Sequence, residues 1–198
     1  MNSAPRRSSF EPRGDEAALI RAAQGGDEAA FAELVGRYQR AIYRIAHGLT
    51  RNSADADDLA QETFVRAYRA LGRFRPEEPL YPWLARIVVN LTYSLFRHRR
   101  RRPETPIEPL VEAGRQWAAE DDPARDVAES EGREQLQASF AELSHEHQAV
   151  LVLRVVDGLS YDEIARSLGV PVGTVMSRLS RARAELKTRL RARTGESP

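Results

Sequence analysis

The sequence predicts an all-α protein built as two small helical bundles joined by a flexible acidic linker. Apolar residues recur at helical spacing in several segments, and no segment shows the sustained alternation that is typical of a strand. Pro103 to Glu134 holds ten acidic residues against three basic ones, together with four prolines, so we expect no continuous core across it. The 198 residues, of which 41% are hydrophobic, suffice for one or two modest cores.

The first bundle is predicted over residues 15–102, after a disordered tail at 1–14 that lacks the apolar segment of a secretory signal. Its four helices are a short one from Asp15 to Gln24, a long one ending near His47-Gly48, a third from Asp55 to Leu71, and a fourth beginning just after Pro82. Glycine can close the second helix, and proline suits the first turn of the fourth. The residues of the third helix that are available for burial are Leu59, Phe64, Ala67, Tyr68 and Leu71.

The second bundle is predicted over residues 134–193, after a linker at 103–133 and before a short tail at 194–198. Ser160 to Glu163 has the spacing of a capping box, in which each side chain bonds the other residue's backbone N–H. Gly169 permits a left-handed turn, and Val175 packs the following helix back across the first. The spacing predicts a helix-turn-helix.

The second helix of this motif presents two different faces. Its apolar positions repeat at helical spacing and fix one face against the protein; they are Val175, Leu179, Ala182, Leu186 and Leu190. Thr174, Ser177, Arg178 and Arg181 must then project elsewhere, where they suit a DNA major groove. An ordinary helical hairpin with solvated arginines is the alternative, but the capping box, the turn glycine and the basic outer face together favour DNA binding.

Charge is segregated along the chain although the formal net charge is only +1. One basic block runs from Arg97 to Arg102, and a second, from Arg178 to Arg193, carries seven basic residues against the single acid Glu185. Such local patches, and not the net charge, determine nucleic-acid binding. The chain has no cysteine and no run of about 18 apolar residues that could span a membrane, so we expect a cytoplasmic protein.

Two features of the first bundle remain open on composition alone. The acids that crowd the start of the third helix are compatible with simple stabilisation of the helix dipole or with an interface. Phe74, Tyr81 and Trp83 lie near a basic block, which describes either a core or a surface on which single-stranded bases stack.

The first bundle resembles region 2 of bacterial sigma factors over Asp55 to Tyr68, over Phe74-Arg75 and over Tyr81 to Asn90. The second bundle, from Leu143 through the helix-turn-helix to Arg178, resembles region 4. Both modules in this order, joined by a short linker, are similar to the extracytoplasmic function (ECF) class of the sigma-70 family. The resemblance spans about Asp15 to Arg193.

The resemblance implies a sigma factor that binds core RNA polymerase and directs promoter-specific initiation. The acidic helix start would dock on the clamp helices of the β′ subunit, with the β flap as a further contact. The residues expected at the clamp are Asp57, Asp58, Gln61 and Glu62. Phe74 corresponds to the position that captures a flipped base of the minus-ten element, a stacking contact worth about 1–3 kcal/mol per base. The other residues expected at this element are Trp83, Asn90, Arg97, Arg99 and Arg100.

In region 4 the resemblance implies that the recognition helix reads the minus-thirty-five element of promoter DNA. The residues expected there are Tyr161, Thr174, Ser177, Arg178, Ser180 and Arg181. Met176 departs from the pattern, because many relatives carry a basic residue there. The linker would follow the RNA path with Trp117 anchored, although a solvated tether fits its composition equally well. Control is expected from an anti-sigma factor, since residues 194–198 offer no regulatory domain.

No catalytic, metal or cofactor site is predicted. His145 and His147 stand at i and i+2 on a helix, so they point to different faces and lack a third ligand. The chain also lacks the glycine-rich phosphate loops of nucleotide enzymes. The remaining alternative is an autonomous helix-turn-helix regulator, which binds paired half-sites on duplex DNA without polymerase.

Overall fold

Eight α-helices account for most of residues 15–101 and 123–195, which are the residues that the computed structural model describes, with side chains described in 15–101 and 131–195. The helices are α1 (Glu16–Gln24), α2 (Glu28–Thr50), α3 (Ser53–Ala70), α4 (Leu80–Arg101), α5 (Pro123–Ala141), α6 (His145–Leu151), α7 (Tyr161–Leu168) and α8 (Val172–Thr194). A 3₁₀ turn follows α3 at Leu71–Arg73, and a π-helical turn follows α6 at Val152–Val156. The predicted all-α class is confirmed. The predicted tail at 1–14 and Trp117 lie outside the described residues.

Helix α2 runs past the glycine that was expected to end it. It continues to Thr50, and Arg51 closes it in the left-handed conformation (φ 56°), with its N–H donating to the His47 carbonyl. The predicted end at Gly48 is therefore wrong. Gly48 lies within the helix, and its missing side chain makes room for Val152 of the second bundle.

A buried carboxylate sets the start of α4. Glu16 is 3% exposed, and its oxygens accept hydrogen bonds from the Leu80 N–H at 3.1 Å and from the Tyr38 hydroxyl. The first N–H groups of a helix have no partner within it, so this contact caps α4 at Leu80, before Pro82. The predicted start after Pro82 is therefore late. One carboxylate thus joins α1, α2 and α4.

The boundaries of α3 and α5 also differ from the predicted ones. The Asn52 side chain accepts the Asp55 N–H at 2.9 Å, which starts α3 at Ser53 and not at Asp55. Helix α5 begins at Pro123, so the last part of the predicted linker is helical. Proline at the first helical position explains this start, because its missing N–H needs no partner there.

The buried apolar side chains of both bundles form one continuous cluster from α1 to α8. The expectation that the two bundles have separate cores is therefore wrong. The bundles meet where α2 and α4 of the first pack against the π-helical turn and α7 of the second. Local sequence patterns do not predict this junction, because the residues in contact across it lie about a hundred positions apart in the chain.

Candidate nucleic-acid interface

The helix-turn-helix consists of α7, a glycine turn and α8. The Ser160 N–H donates to the Glu163 carboxylate at 2.7 Å and the Glu163 N–H donates to the Ser160 hydroxyl at 3.3 Å, which confirms the capping box. Gly169 adopts φ +67°, a conformation that L side chains rarely adopt, and it ends α7. Val175 and Leu179 are buried and hold α8 across α7. The predicted motif is confirmed.

The outer face of α8 presents polar side chains to solvent. Ser177, Ser180 and Arg181 are exposed, while Thr174 and Arg178 are half-buried. The Ser177 hydroxyl donates to the Thr174 carbonyl at 3.0 Å, which leaves its lone pairs available to other donors. The residues predicted to read DNA thus lie along one helix face, separate from the buried face.

Tyr161 stands at the first position of α7. It is half-buried, and the Arg154 guanidinium lies 5.2 Å from its ring centroid. Arg154 also donates to the Leu159 carbonyl at 2.8 Å, which fixes its position. A cation stacked on an aromatic ring beside the motif adds positive charge where a phosphate can approach.

Phe74 is a core side chain in this structure. It is 9% exposed, and its ring lies 4.8 Å from that of Trp83, centroid to centroid. The Gln24 amide donates to the carbonyls of Leu71 and Phe74 at 2.9 and 2.8 Å, which holds the chain between α3 and α4. Stacking of a flipped base on Phe74 therefore requires the ring to leave Trp83.

The arginines at the basic end of α4 differ in their contacts. Arg99 forms two hydrogen bonds of 2.7 Å with the Asp55 carboxylate, so it is tied to the start of α3. Asn90, Arg97 and Arg100 are exposed, and Arg97 donates weakly to the Ser94 hydroxyl at 3.4 Å. Five of the six predicted minus-ten residues thus lie on α4, but only some of their side chains are available to DNA.

Arg97 and Arg100 also line an open cleft between α4 and α6, which we call the basic cleft. Its volume is about 420 Å³, and its walls are Tyr93, Arg97, Arg100, Arg101, His145 and Glu146. Burial raises the pKa of Tyr93 well above its ordinary value, and Glu146 adds to this effect while Arg178 opposes it.

The acidic start of α3 forms an exposed surface, here called the acidic α3 surface, made of Asp57, Asp58, Gln61 and Glu62. The first three are exposed, and Glu62 accepts a hydrogen bond from Arg66 at 2.7 Å. The four residues lie one turn apart on the face opposite the buried Leu59 and Phe64. Helix-dipole stabilisation does not account for these acids, because the effect is confined to the first turn of a helix, where Asp55 is the acidic residue.

Two exposed apolar side chains beside the acidic α3 surface were missed by the sequence analysis. Val65 is 43% exposed and Tyr68 is 47% exposed, although Tyr68 was expected to be buried. Tyr68 contacts Phe31 only edge-on, at 4.9 Å between ring centroids. Val65 lies four residues after Gln61 and Tyr68 lies seven residues after it, and this spacing was the available signal, since it places them on the same helix face.

The histidines have structural partners. His145 stacks on Tyr93 and packs against Phe96, at 5.5 and 4.9 Å between centroids, while His147 Nδ1 lies 2.8 Å from the Glu185 carboxylate. Among the described residues, no group of three or more potential ligands can hold a metal ion. Within the same residues, no helix is both long and apolar enough to cross a membrane.

Comparison with known proteins matches both modules to one family. The family models described as "Sigma-70 region 2" and "Sigma-70, region 4" match residues 34–102 and 133–186. The chain is 36% identical to the ECF RNA polymerase sigma factor SigE of Mycolicibacterium smegmatis over 95% of this chain and 68% of the relative. It is 35% identical to the ECF RNA polymerase sigma-E factor of Escherichia coli K12, over 87% of this chain and 92% of the relative.

Solved structures agree with these matches. CnrH, in complex with the cytosolic domain of CnrY, superposes with a TM-score of 0.66 at 30% identity, over 90% of this chain and 99% of CnrH. The sigma factor RpoE of Bartonella quintana, in complex with the anti-sigma factor NepR, gives a TM-score of 0.63 at 25% identity, over 81% and 96% of the two chains. The chain therefore belongs to the ECF class of the sigma-70 family of RNA polymerase sigma factors.

Proposed function

We propose that this chain binds core RNA polymerase and directs it to initiate transcription at specific promoters. The observation that carries the proposal is the pairing, in one chain, of the polar outer face of α8 with the acidic α3 surface. One surface suits DNA and the other suits a basic protein partner. Relatives matched over nearly the whole chain are named ECF RNA polymerase sigma factors, which supports this reading over an autonomous regulator.

The minus-thirty-five element is assigned to α8. Ser177, Ser180 and Arg181 are exposed on its outer face, and the Arg154 guanidinium lies over the ring of Tyr161 at the start of α7. An arginine can bond two acceptors of a guanine edge, while serine hydroxyls contact bases or phosphates. Met176 is 55% exposed on the same helix and offers only apolar contact, such as with a thymine methyl group.

The minus-ten element is assigned to the chain between α3 and α4 and to α4 itself. Asn90, Arg97 and Arg100 are exposed along one helix, where they can follow the backbone of an unpaired strand. Trp83 and Phe74 form the aromatic pair at its start. Opening of this pair would offer an aromatic ring for stacking to a base extruded from the duplex.

Polymerase binding is assigned to the acidic α3 surface together with Val65 and Tyr68. A charged patch beside exposed apolar side chains is the composition of a protein interface, in which apolar contacts supply affinity and charges steer association. We assign this surface to the clamp helices of the β′ subunit, and the second module to the β flap. Polymerase would then supply the chemistry, so this chain needs no catalytic group of its own.

The cytoplasm is the proposed location, because core polymerase and promoter DNA are found there. An anti-sigma factor is the proposed regulator. The relatives CnrH and RpoE were solved in complex with the cytosolic domain of CnrY and with the anti-sigma factor NepR, respectively.

Run-off transcription with purified core polymerase tests the proposal. We expect transcripts with discrete 5′ ends from a subset of genomic templates only when the chain is added. A variant carrying Asp58→Lys and Glu62→Lys should give far fewer of them, since both side chains lie on the acidic α3 surface. The proposal would be wrong if no promoter-dependent transcript formed while the free chain bound a duplex palindrome tightly.

A further inference from the structure

Helix α1 contacts the chain between α3 and α4 at three points. This connection, residues 71–79, is here called the α3–α4 loop. Gln24 bonds its first part, Arg21 forms an ion pair with an acidic residue in its middle, and Glu16 caps the first turn of α4 just after it. The match to the family model of region 2 begins at residue 34, so α1 lies before it. No function was predicted for α1 from its sequence.

Buried side chains fix α1 within the first bundle. Ile20 and Ala23 are 0% and 6% exposed and belong to the continuous apolar cluster. Glu16, one turn before Ile20, is also buried and bonds the Tyr38 hydroxyl of α2. Gln24 lies one turn after Ile20 and is half-buried. Its side chain therefore starts from a rigid element, and such a side chain holds a loop more precisely than one that starts from another loop.

The Gln24 amide holds the backbone of the α3–α4 loop at Phe74. Its Nε2 donates to the Leu71 carbonyl at 2.9 Å and to the Phe74 carbonyl at 2.8 Å. A carboxamide nitrogen carries two hydrogens, so each carbonyl can receive one. The Phe74 N–H donates to the same Leu71 carbonyl at 2.9 Å. Both backbone polar groups of Phe74 are thus hydrogen-bonded, which restrains its backbone torsions but leaves its side-chain torsions free to change.

These backbone bonds determine how the Phe74 ring can reach a base. The ring packs against Trp83 and must leave it before a base can stack there. While the Gln24 amide holds the backbone, this movement needs only rotation of the Phe74 side chain. Without the amide, the loop has more conformations, and their loss on binding lowers the affinity for the captured base. Gln24 thus acts on base capture without touching the base.

We propose that Gln24 is a positioning residue for base capture at the minus-ten element and that it acts through the backbone of Phe74. The inference rests on the proposed function, because it depends on the stacking role assigned to Phe74. It extends that role by making α1 part of minus-ten recognition. The Arg21 ion pair is not included, because its two side chains are 58% and 69% exposed and such pairs contribute little.

Two substitutions of Gln24 test the amide with little change in shape. Methionine matches glutamine in length and helix propensity but has no N–H group, so Gln24→Met removes only the donors. Gln24→Glu keeps the shape of the amide and places carboxylate oxygens against the two carbonyls, which repel them. Gln39→Met is the matched control. Gln39 is exposed on α2, so the same chemical change is made away from the α3–α4 loop.

Melting is measured with holoenzyme formed from core polymerase and each full-length variant, on a promoter fragment identified by run-off transcription. Permanganate reactivity of unpaired thymines reports melting, binding to the unmelted duplex is measured in parallel, and circular dichroism identifies a temperature at which every variant is folded. We expect Gln24→Met to lower the equilibrium constant for melting about tenfold, or about 1.4 kcal/mol, which matches the loss of one or two hydrogen bonds. Gln24→Glu should lower it at least as much, while Gln39→Met and all duplex binding should stay near the wild type.

An abasic site separates positioning from a general loss of loop stability. Abasic sites are placed one at a time along the non-template strand of the minus-ten element, and the site that weakens wild-type melting most marks the captured base. At that site Phe74 has no base to stack on, so the wild type and Gln24→Met should melt the template equally. At the neighbouring sites the difference between them should remain. A merely structural role of Gln24 would keep the difference at every site.

The outcomes distinguish this inference from the proposed function. A difference that persists at the sensitive abasic site would overturn the inference alone, and so would melting by Gln24→Met equal to that of the wild type. Stronger melting by Gln24→Met would also overturn it, because the amide would then hold the ring against Trp83. If no abasic site were sensitive, the stacking role of Phe74 would fail together with the inference. A wild-type holoenzyme that melts no promoter would contradict the proposed function itself.

Discussion

Replacement of Phe74 separates a role in promoter melting from a role in the core. Because the ring is 9% exposed and packs against Trp83, Phe74→Ala should cost about 3–5 kcal/mol of unfolding free energy whatever its role with DNA. Phe74→Leu is the better variant, since it keeps an apolar side chain in the same space and should cost about 1 kcal/mol. Loss of base stacking would then remove a further 1–3 kcal/mol, roughly, from the open complex only.

That loss corresponds to about 5- to 150-fold in the equilibrium between closed and open promoter complexes. Permanganate reactivity of unpaired thymines in the minus-ten element measures this equilibrium, and binding to the unmelted duplex is measured in parallel. Both are recorded at a temperature where circular dichroism shows every variant to be folded. We expect Phe74→Leu to reduce melting while duplex binding changes little.

Leu71→Ala is the matched control for this experiment. Leu71 is 2% exposed, and its carbonyl accepts the Phe74 N–H at 2.9 Å, so it shares the same segment without offering a ring. Its replacement should lower the unfolding free energy by about 2–5 kcal/mol and leave melting unchanged below the unfolding transition. The flipped-base role would be refuted if Phe74→Leu melted promoters like the wild type, or if Leu71→Ala reproduced its defect.

Three further predictions concern the other surfaces. Reversing charge at Asp58 and Glu62 should weaken binding to core polymerase by about 1–3 kcal/mol in a fluorescence titration while the thermal midpoint stays near that of the wild type, since both side chains are solvent-accessible. Arg181→Ala should relax preference at one base pair of the minus-thirty-five element by about 1–3 kcal/mol, and a uniform loss across all sequences would indicate phosphate contact instead. Arg189 and Arg193 hold the pKa of Glu142 below its ordinary value. The stability that this carboxylate contributes is therefore present above about pH 4.5 and is lost as the pH falls through the lowered pKa. Glu142→Gln should reduce the loss of unfolding free energy over that pH range in an acid-unfolding experiment.

The α7–α8 motif shows what sequence reasoning can reach. The capping box, the left-handed Gly169 and the buried face of α8 depend on residues within about twenty positions of one another, and all three are confirmed. Short-range spacing determines which side chains share a face, because helix geometry is fixed at 3.6 residues per turn. The same helical periodicity explains why Ser177, Ser180 and Arg181 are exposed.

In other parts of the chain, contacts between residues far apart in the sequence explain why predictions from local spacing were wrong. Glu16 starts α4 from 64 residues away through its bond to Leu80, and no local signal marks that cap. The basic block predicts that Arg99 contacts DNA, but its guanidinium forms two hydrogen bonds with the Asp55 carboxylate of α3. Tyr68 fits an apolar stripe, yet it is 47% exposed and contacts Phe31 of α2 only through a ring edge.

By itself the sequence determined the all-α class, the helix-turn-helix and the family, because each depends on local spacing or on a family pattern. Only the tertiary structure decided that Gly48 is an interface residue and not a helix terminator. It also decided that Phe74 is buried, and that the two cores are one. These outcomes depend on which surfaces meet in space. Burial of Asp157 against Arg44 and Tyr81 joins positions more than seventy residues apart, and no periodicity within either segment encodes that pairing.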